Sequence, residues 1–434
     1  MNEWKPLTGV VRADAAVVGG GWTGLMTASA LSGAGLRVAV VDAGQPLWEG
    51  PSALCAHPWA AYARIAEAAG MEAAREHAQR LQRVGRGLPG LLTPLTDFRE
   101  AERYHFALLE GDLPALRAYA ELAEALGLAA RDAPDAGGCP YPVERSALSR
   151  DTLLIGAEGL REGLVRRIRR CGGRVLGDSL VTEVASGRVF TQSGRVDAPV
   201  VILTCGRPPG LRRVTRFTSL TVAHCRLTGG PPLFTVQQSV RPGHLTLLPV
   251  PGGLEASLIA GRTGSRAENG ELARFRRILR VRLPDSTPGE VRLGQLAAPV
   301  DGLPMIGESA AYPGRALLAC GVTTFAEAAL AAGVLTRLLT GRPHPPDALY
   351  APDRPLPAGI ARGSLRRLRT LRALNSLRRG APRCSLCACR LRWCEGAQWW
   401  GCPVCGSAFG LLGRRLSGPA LRDARASARQ RPGW

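Results

Sequence analysis

Apolar residues recur along this chain at the two spacings that distinguish helices from strands. Alanine, leucine and charged residues at helical spacing predict helices at about 58–90, 113–130 and 158–171. Short segments with β-branched residues predict strands at 174–176, 180–184 and 188–191. A continuous apolar run at 200–206, Val-Val-Ile-Leu-Thr-Cys-Gly, predicts a buried parallel strand. The first half of the chain therefore has an α/β pattern.

The N-terminal part of this pattern is a strand–helix–strand unit with a glycine-rich turn. The apolar strand Ala15–Val18 runs directly into Gly19-x-Gly21-x-x-Gly24, and a helix of small residues follows. Gly19 permits the tight turn, Gly21 leaves room for a diphosphate, and Gly24 lets the helix pack closely on the strands. The second strand ends at Asp42, where a carboxylate would bind a ribose hydroxyl. The glycine motif alone would be weak evidence, but the complete unit predicts a dinucleotide-binding site.

The pattern changes after residue 214 and then returns. Residues 215–298 alternate short strands with proline and glycine turns, which predicts an antiparallel sheet. A compact loop, Asp301–Gly307, then precedes the apolar strand Arg315–Gly321 and a helix at about 325–339. A chain that leaves the α/β pattern and comes back to it predicts a nucleotide-binding domain that is discontinuous in sequence.

The start of the last helix has the spacing of a capping box. Thr324 and Glu327 stand three residues apart, and Gly341 follows the last turn as a stop signal. The positive end of this helix dipole could face a group that accumulates negative charge, such as a reduced flavin. The alternative is an ordinary last strand–helix unit of the sheet.

Composition agrees with a water-soluble enzyme. The chain has 434 residues, 45% of them hydrophobic, and no apolar run reaches the roughly 18 residues of a membrane helix. The N-terminus lacks the layout of a signal peptide, so we expect a cytoplasmic protein without disulfides. Six of its twelve cysteines lie between Cys384 and Cys405, which points to a metal.

Positive charge is concentrated near the C-terminus. The net charge of the chain is +21, and from Arg354 onward 17 arginines face only Glu395 and Asp423. Such a tail could bind nucleic acid or anionic lipid. We favour a solvated Arg-rich linker, because the leucines of residues 362–383 recur at every third position and wind around a helix without forming one apolar stripe.

These segments together resemble the D-amino-acid-oxidase-like (DAO-type) FAD-dependent oxidoreductases. In that family a GxGxxG unit, a strand ending near Gly206, an Asp-Gly-Leu-Pro-x-Ile-Gly loop and a final strand and helix build the FAD site. Asp301–Gly307 matches that loop, and residues 12–345 follow the family order. The resemblance implies an α/β fold with a discontinuous Rossmann-like FAD-binding domain, an antiparallel-sheet substrate domain and a small C-terminal β module.

The resemblance also implies domain bounds and cofactor residues. The FAD-binding domain would take 12–85, 145–214 and 299–345, the substrate or cap domain 86–144 and 215–298, an Arg-rich linker 346–383, and a metal module 384–425. The residues expected to bind FAD are Gly19, Gly20, Gly21, Trp22, Thr23, Gly24, Asp42, Val181, Cys205, Gly206, Gly302, Leu303, Gly321, Thr323, Thr324 and Phe325.

The C-terminal segment resembles the Rieske domain that one branch of these flavoproteins carries. The resemblance lies in residues 384–393 and 400–409 and in the Leu-Ser-Gly-Pro sequence at 416–419. A Rieske cluster needs two histidine ligands. Here Leu386 and Cys405 occupy the histidine positions, so a Rieske centre with its usual ligands is excluded.

Two Cys-x-x-Cys knuckles remain, separated by 14 residues. Four thiolates in this arrangement suit structural zinc or a rubredoxin-like iron. We favour zinc in a zinc-ribbon-like module, and iron or an all-cysteine [2Fe–2S] cluster is the alternative because Cys389 and Cys394 are spare thiols. The four expected metal ligands are Cys384, Cys387, Cys402 and Cys405.

The segment expected to face the flavin departs from the family pattern. Thr323 and Ala326 stand where the family usually has glycine, so side chains there could crowd the ring. An arginine often binds the substrate carboxylate in such enzymes, but the sequence does not single one out. No catalytic residue is assigned from the sequence.

The sequence thus predicts an FAD-dependent oxidoreductase that acts on a C–N bond of an amino acid or amine by hydride transfer to flavin. Electrons would then pass to O₂ or another acceptor, or through the C-terminal module if its metal is iron. The alternative is a catalytically degenerate flavoprotein scaffold whose four-cysteine ribbon and basic tail bind nucleic acid or a protein partner. The altered flavin-facing residues favour this alternative, and the intact glycine turn favours the enzyme.

Overall fold

A computed structural model describes residues 4–44, 53–55, 59–133, 138–206, 216–230, 232–240, 245–265, 267–310, 316–363, 366, 369–370 and 381–425. Most of the Arg-rich segment 362–383 lies outside these residues, so its interpretation as a solvated linker stays a prediction. The described helices contain no segment with the length and apolarity that a membrane crossing requires.

The principal helices are α1 (Trp22–Gly33), α2 (Trp59–Ala69), α3 (Met71–Leu92), α4 (Leu113–Ala125), α5 (Ala157–Arg170), α6 (Ala267–Arg282) and α7 (Phe325–Leu339). The strands are β1 (Lys5–Pro6), β2 (Gly9–Arg12), β3 (Ala15–Val18), β4 (Val38–Val41), β5 (Ala53–Cys55), β6 (Phe98–Ala107), β7 (Arg131–Ala133), β8 (Arg145–Ile155), β9 (Arg174–Gly177), β10 (Glu183–Ala185), β11 (Arg188–Phe190), β12 (Gly194–Asp197), β13 (Val200–Leu203), β14 (Phe217–Gly229), β15 (Val236–Ser239), β16 (Thr246–Val250), β17 (Gly253–Arg262), β18 (Ser286–Pro299), β19 (Met305–Glu308), β20 (Ala316–Cys320), β21 (Arg392–Cys394), β22 (Trp399–Gly401), β23 (Ala408–Phe409) and β24 (Arg415–Ser417).

A seven-stranded sheet carries the glycine-rich turn. Its order is β1-β9-β4-β3-β13-β20-β19, and its strands are parallel except for β19 against β20. Helices α1, α5 and α7 bury leucines in the same core cluster, among them Leu25, Leu164 and Leu335. The predicted βαβ unit and the later return of the chain to this sheet are confirmed.

A separate nine-stranded sheet, mainly antiparallel, forms the second layer. Its order is β18-β14-β17-β16-β15-β6-β8-β5, with β7 beside β8, and the β15–β6 pair is parallel. Helix α6 lies against this sheet through the buried residues Leu272, Phe275 and Leu279. The predicted antiparallel sheet at 215–298 is therefore present, but it also contains a helix that the strand pattern did not predict.

Two of the expected domain bounds fall at places where the structure is continuous. The bound between 85 and 86 cuts α3, and the bound at 145 assigns β8 to the FAD-binding segments. In the structure β8 pairs with β6 from Phe98↔Ile155 to Ala107↔Arg145, and β5 pairs with β8 as well. The nine-stranded sheet therefore takes strands from both sides of the expected bounds, because long-range pairing leaves no local signal in the sequence.

The first residues of the predicted linker pack on the protein body. The 3₁₀ helix Pro345–Tyr350 buries Tyr350 completely. Asp347 accepts hydrogen bonds from Arg80 and Arg337 at 2.9 and 2.8 Å. Residues 345–354 therefore belong to the folded body, and the basic tail begins after them.

The last described residues form a small antiparallel sheet, β21-β22-β23-β24. Its buried Cys394 and Trp399 share one core cluster with Leu272 and Phe275 of α6. The backbones also meet closely, since a Cβ atom on Gly264 would lie 2.8 Å from the carbonyl oxygen of Gly401. The cysteine-rich module is thus docked on the nine-stranded sheet. A further four-stranded sheet, β10-β11-β12-β2, lies beside the parallel one.

Candidate functional site

The glycine-rich turn has the geometry that its three glycines predict. Gly19 has a φ of +111°, a left-handed value that other residues rarely adopt. A Cβ atom on Gly24 would lie only 1.8 Å from the carbonyl oxygen of Gly19, so α1 packs directly on the turn. A Cβ atom on Gly21 would meet no protein atom within 4 Å. The turn therefore leaves open space at the position where a diphosphate approaches the backbone.

Helix α1 begins at this open space without a side-chain cap. Its N-cap residue is Gly21, and the first turn contains no acidic residue. The first amide groups of a helix lack partners within the helix, and the helix dipole adds positive potential there. The start of α1 is therefore suited to bind an anionic group.

Trp22 and Phe325 connect the starts of two helices. Trp22 is the first residue of α1 and Phe325 the first of α7, and their rings contact edge to face with centroids 5.7 Å apart. The predicted residues of the glycine turn and of the last helix are thus brought together. Thr23, the next residue of α1, is half-buried.

Asp42 lies at the carboxyl end of β4, beside the turn. Its carboxylate accepts hydrogen bonds from the amides of Gly20 at 2.6 Å and Gly44 at 3.2 Å. Burial raises the pKa of Asp42, and these two donors offset part of that rise. The residue stands where the sequence predicts a ribose ligand.

Trp4 covers the outer edge of this region, which the sequence pattern did not predict. Cβ atoms on Gly20 and Gly177 would lie 2.6 and 2.8 Å from its side chain. The short strand β1 holds Trp4 here, because Lys5 and Pro6 pair with the end of β9. The sequence did contain one sign of this contact, an aromatic residue just before the first strand. That strand pairs with a segment about 170 residues away, so the contact itself could not be predicted.

A cavity of about 240 Å³ opens at the carboxyl ends of β3, β4 and β13. Five predicted cofactor residues line it: Gly19, Asp42, Val181, Cys205 and Gly206. Burial raises the pKa of the Cys205 thiol to about 12, so this thiol is neutral. The remaining walls come from the nine-stranded sheet (Ser219 and 295–297) and from residues 415–418 of the cysteine module. Neither of these last two contributions was predicted.

The other predicted cofactor residues lie outside this cavity. A Cβ atom on Gly302 would lie 2.8 Å from the carbonyl oxygen of Ala61, and one on Gly321 would lie 2.5 Å from Pro299. These two glycines are therefore required for close packing of the protein on itself. Leu303 is buried beside them.

Arg354 holds the loop that contains Gly302 and Leu303. Its guanidinium makes two hydrogen bonds to the carboxylate of Asp301, both 2.9 Å long, and donates to the carbonyl oxygen of Leu303 at 2.6 Å. Both side chains are largely buried, Arg354 with 10% and Asp301 with 4% exposure. This arginine, which the charge count assigned to the basic tail, is a structural part of the folded body.

The capping box of α7 is present as predicted. Thr324 accepts a hydrogen bond from the amide of Glu327 at 3.1 Å, and the Glu327 carboxylate accepts from the amide of Thr324 at 3.0 Å. Thr323 donates to the same carboxylate from its amide at 2.7 Å and from its hydroxyl at 2.8 Å. The Thr323 side chain therefore completes the cap, and the amides of residues 323 and 324 are used within the helix start.

His77 stands behind this cap and was missed by the sequence analysis. Its Nδ1 lies 2.9 Å from the hydroxyl of Tyr350, and its Nε2 lies 3.4 Å from a carboxylate oxygen of Glu327. The His77 and Glu327 side chains are completely buried, and the Tyr350 residue is too. The three residues form a polar core that fixes the start of α7.

The four predicted metal ligands converge. The sulfur atoms of Cys384, Cys387, Cys402 and Cys405 all lie within 4.8 Å of one another. Cys384 and Cys405 are 3.5 Å apart, and Cys387 and Cys402 are 3.4 Å apart. Four thiol groups at this separation, three of them buried, fit one tetrahedral ion.

The backbone around the four sulfurs has the form of two matching knuckles. Gly406 follows the second Cys-x-x-Cys with a φ of +73°, and Ala388 follows the first with a φ of +56°. The amide of Cys405 donates to the sulfur of Cys402 at 3.4 Å. The pKa of Cys405 is lowered because the thiols of the other three cysteines donate to its sulfur, which favours a thiolate in the group.

Cys394 does not belong to this group. Its sulfur donates to the side-chain oxygen of Asn269 on α6 at 3.1 Å. One of the two spare thiols therefore serves the contact between the module and the nine-stranded sheet.

The parallel sheet, the open glycine turn and Asp42 define a dinucleotide-binding protein. A family model described as DAO, FAD dependent oxidoreductase, matches residues 14–338, which are 325 of the 434 residues. The chain therefore belongs to this family of FAD-dependent oxidoreductases. The Rieske-type assignment of the C-terminal module lies outside the matched residues and stays a prediction.

Solved structures with the same fold include three amino acid enzymes. A glycine oxidase from Geobacillus kaustophilus has a TM-score of 0.63 at 16% identity, covering 80% of this chain and all of that one. An L-proline dehydrogenase from P. horikoshii has a TM-score of 0.62 at 12% identity, over 80% and 98% of the two chains. An L-amino acid deaminase from Proteus myxofaciens, in complex with anthranilate, has a TM-score of 0.59 at 16% identity, over 81% and 95%. No curated protein matches the chain significantly.

Proposed function

We propose that this protein oxidises a C–N bond of an amino acid or amine with FAD as its cofactor. The observation that carries the proposal is the cavity where Gly19, Asp42 and Val181 meet beside the uncapped start of α1. This constellation fits the diphosphate and ribose of a dinucleotide. The structural neighbours, named as amino acid enzymes, favour an amino acid among C–N substrates.

The chain's own residues would hold the cofactor at two places. The amides at the start of α1, opened by Gly21, would bind the diphosphate, and the Asp42 carboxylate would accept the ribose hydroxyl groups. Bound FAD supplies the acceptor for a hydride from the carbon that bears the amine. The clamp of Arg354 on Asp301 and the polar core behind α7 would keep the surrounding loops rigid.

Two arginines form the best candidate for binding a substrate carboxylate. Arg64 of α2 donates to the carbonyl oxygen of Val300 at 3.4 Å, immediately before Asp301. Both side chains belong to exposed residues, and the pKa of Arg262, at the end of β17, is lowered by partial burial and then by the positive charge of Arg64. Neither arginine has an acidic partner among the described residues. A carboxylate between them would relieve this repulsion and accept two charged hydrogen bonds.

The function is tested first by the flavin. Purified protein, with FAD added, should show a flavin absorption spectrum, and anaerobic addition of amino acids should bleach it. A protein that never takes up FAD, and instead binds RNA or DNA in a salt-dependent manner, would establish the scaffold alternative.

The carboxylate site is tested by an arginine variant and its control. Arg262→Ala should raise KM for amino acids by tenfold or more, and should leave amines without a carboxylate unaffected. The control is Arg226→Ala, at the far end of the nine-stranded sheet. It should leave KM unchanged for amino acids and for amines without a carboxylate. An equal loss with both kinds of substrate would contradict carboxylate binding by Arg262.

We further propose that the four cysteines bind zinc. Zinc cannot exchange electrons, so O₂ or a separate acceptor would reoxidise the flavin. Elemental analysis decides between zinc and iron, and an iron-loaded module would open the alternative path for electrons. Cys402→Ser should abolish metal binding, whereas Cys394→Ser should retain it, because only Cys402 belongs to the four-sulfur group.

The cysteines also support a proposed cytoplasmic location. The eleven cysteines whose side chains the structure describes are free thiols, which suits a reducing compartment.

A further inference from the structure

We propose that the cysteine module closes the nucleotide half of the FAD cavity, that Arg415 binds FAD there, and that the metal thereby controls how tightly FAD is retained. The proposal rests on the proposed FAD and metal sites. It assigns to the C-terminal module a role in cofactor binding rather than in electron transfer.

Arg415 reaches into the cavity from β24. Its Nη1 donates to the carbonyl oxygen of Val181 at 3.1 Å, and its Nη2 lies 3.4 Å from the carbonyl oxygen of Gly418. Its Nε–H is buried and has no hydrogen-bond acceptor within the described part of the chain. Arg415 and Gly19 of the glycine turn line the same cavity. Arg415 thus places a positive group in the wall of the space assigned to the nucleotide, while its Nε–H is buried within that wall.

The electrostatics of this position favour an anionic ligand. Burial lowers the pKa of Arg415, which means that the surroundings disfavour its charge. Among the described residues Arg415 has no ion pair within 4 Å. FAD carries a diphosphate, and a half-buried guanidinium such as that of Arg415 forms strong hydrogen bonds with such a group. Asp423 accepts a hydrogen bond from the backbone amide of Arg415 at 2.8 Å, but its effect on the pKa of Arg415 is smaller than that of burial. Cofactor binding would bring a negative charge to the guanidinium itself.

Gln295 links strand β24 to the second cysteine knuckle, Cys402–Cys405. Its side-chain amide donates to the carbonyl oxygen of Gly406, directly after Cys405, at 3.1 Å. Its side-chain oxygen accepts a hydrogen bond from the hydroxyl of Ser417. Gln295 also lines the cavity. The Gln295 side chain therefore contacts the second cysteine knuckle and strand β24, and it also lines the cavity.

Ser407 provides a second link inside the module. Its hydroxyl lies 3.2 Å from the sulfur of Cys405 and accepts a hydrogen bond from the amide of Ala420 at 3.0 Å. Gly418 packs directly on it, since a Cβ atom there would lie 2.6 Å from the Cα of Ser407. A metal bound at Cys402 and Cys405 would therefore stabilise the strand pair that presents Arg415. Loss of the metal would loosen the wall of the cavity that residues 415–418 form.

The role of Arg415 is tested by titrating apoprotein with FAD and following flavin fluorescence. Arg415→Ala should weaken FAD binding by tenfold or more, because a charged hydrogen bond is lost. The matched control is Arg414→Ala, which removes an exposed neighbouring arginine and should leave the affinity unchanged. Unchanged or tighter FAD binding by Arg415→Ala would overturn the proposal, and tighter binding would show that Arg415 competes with FAD for the cavity.

The control by the metal is tested on the protein loaded with both metal and FAD. A chelator should release FAD along with the metal, and the Cys402→Ser variant should bind FAD as weakly as Arg415→Ala. Cys394→Ser should keep both ligands. Retention of FAD after the metal has left would overturn the coupling. Protein that contains no metal as isolated and takes up none would instead contradict the proposed metal site and the coupling together, and the Arg415 titration would still decide the role of that residue.

Discussion

Arg354 and Asp301 form a largely buried ion pair that also holds the carbonyl oxygen of Leu303. Arg354 opens the basic C-terminal region in the sequence, yet it is the buried partner of Asp301. The predicted loop at 301–307 is a turn only over 301–304, since Met305–Glu308 form β19, and its contact with FAD stays a prediction. The sequence did not indicate that Arg354 holds this loop, because the partner lies 53 residues away. The same applies to His77, whose contacts with Tyr350 and Glu327 connect three distant segments. The sequence shows which side chains are charged or polar, but their hydrogen-bond partners are set by how the chain folds.

Removing Arg354 should be costly for stability. Arg354→Ala would leave the Asp301 carboxylate buried without its cation, so the free energy of unfolding should fall by about 3–5 kcal/mol. Urea unfolding followed by circular dichroism measures this change. Arg362→Ala, an exposed arginine eight positions later, serves as the control and should have almost no effect. A loss below about 1 kcal/mol for Arg354→Ala would show that the clamp is dispensable.

At the scale of elements, prediction succeeded where local sequence dictates geometry. The turn at 19–24 follows from glycine conformation and close packing, and the capping box of α7 follows from its two polar side chains. Helix α6 was not predicted, although Leu272, Phe275 and Leu279 have helical spacing. The strand-like segments on both sides of it led us to assign the whole of residues 215–298 to a sheet. The pairing of β8 with β6 could not be predicted, because strand partners are set by long-range contacts.

The glycines of the turn should separate folding from cofactor binding. Gly21→Ala should leave the stability of the apoprotein nearly unchanged, since the new methyl group meets no protein atom within 4 Å, but should weaken FAD binding by about tenfold or more. Gly24→Ala should instead lower apoprotein stability, because its Cβ would overlap the carbonyl oxygen of Gly19. Thermal unfolding and FAD titration of both variants make the comparison. Normal FAD affinity in Gly21→Ala would argue against a diphosphate at this turn.

For the whole molecule, the docking of the cysteine module was beyond sequence analysis. The four ligands were predicted from their spacing, and the structure brings them together. The contacts of the module with the cavity join residues more than 100 positions apart, such as Gln295 with Gly406 and Ser417. Glu268 lies buried at this junction, where it accepts hydrogen bonds from the Thr221 hydroxyl and from the amide of Gly264 at 2.8 Å.

Glu268 should make stability depend on pH. Burial raises its pKa above 4.5, so the folded protein holds this proton more tightly than the unfolded chain. Stability from this group is greatest below the unfolded pKa and is lost as pH rises through the folded one. Glu268→Gln should therefore raise Tm relative to the parent in neutral buffer and much less in acid. Glu271→Gln on the same helix is the control, and an equal Tm change at both pH values would contradict the assignment to Glu268.

The walls of the cavity are made in a fixed order during translation. The glycine turn and Asp42 leave the ribosome early, the segments at 180–206 and 295–297 follow, and residues 415–418 come last. A nascent chain that has already folded its first strands would therefore offer an open groove to free nucleotide, and the final wall would be added only after residues 415–418 have left the ribosome. A ribosome-stalled chain whose emerged part stops before residue 395 should accordingly exchange its flavin faster than the released protein.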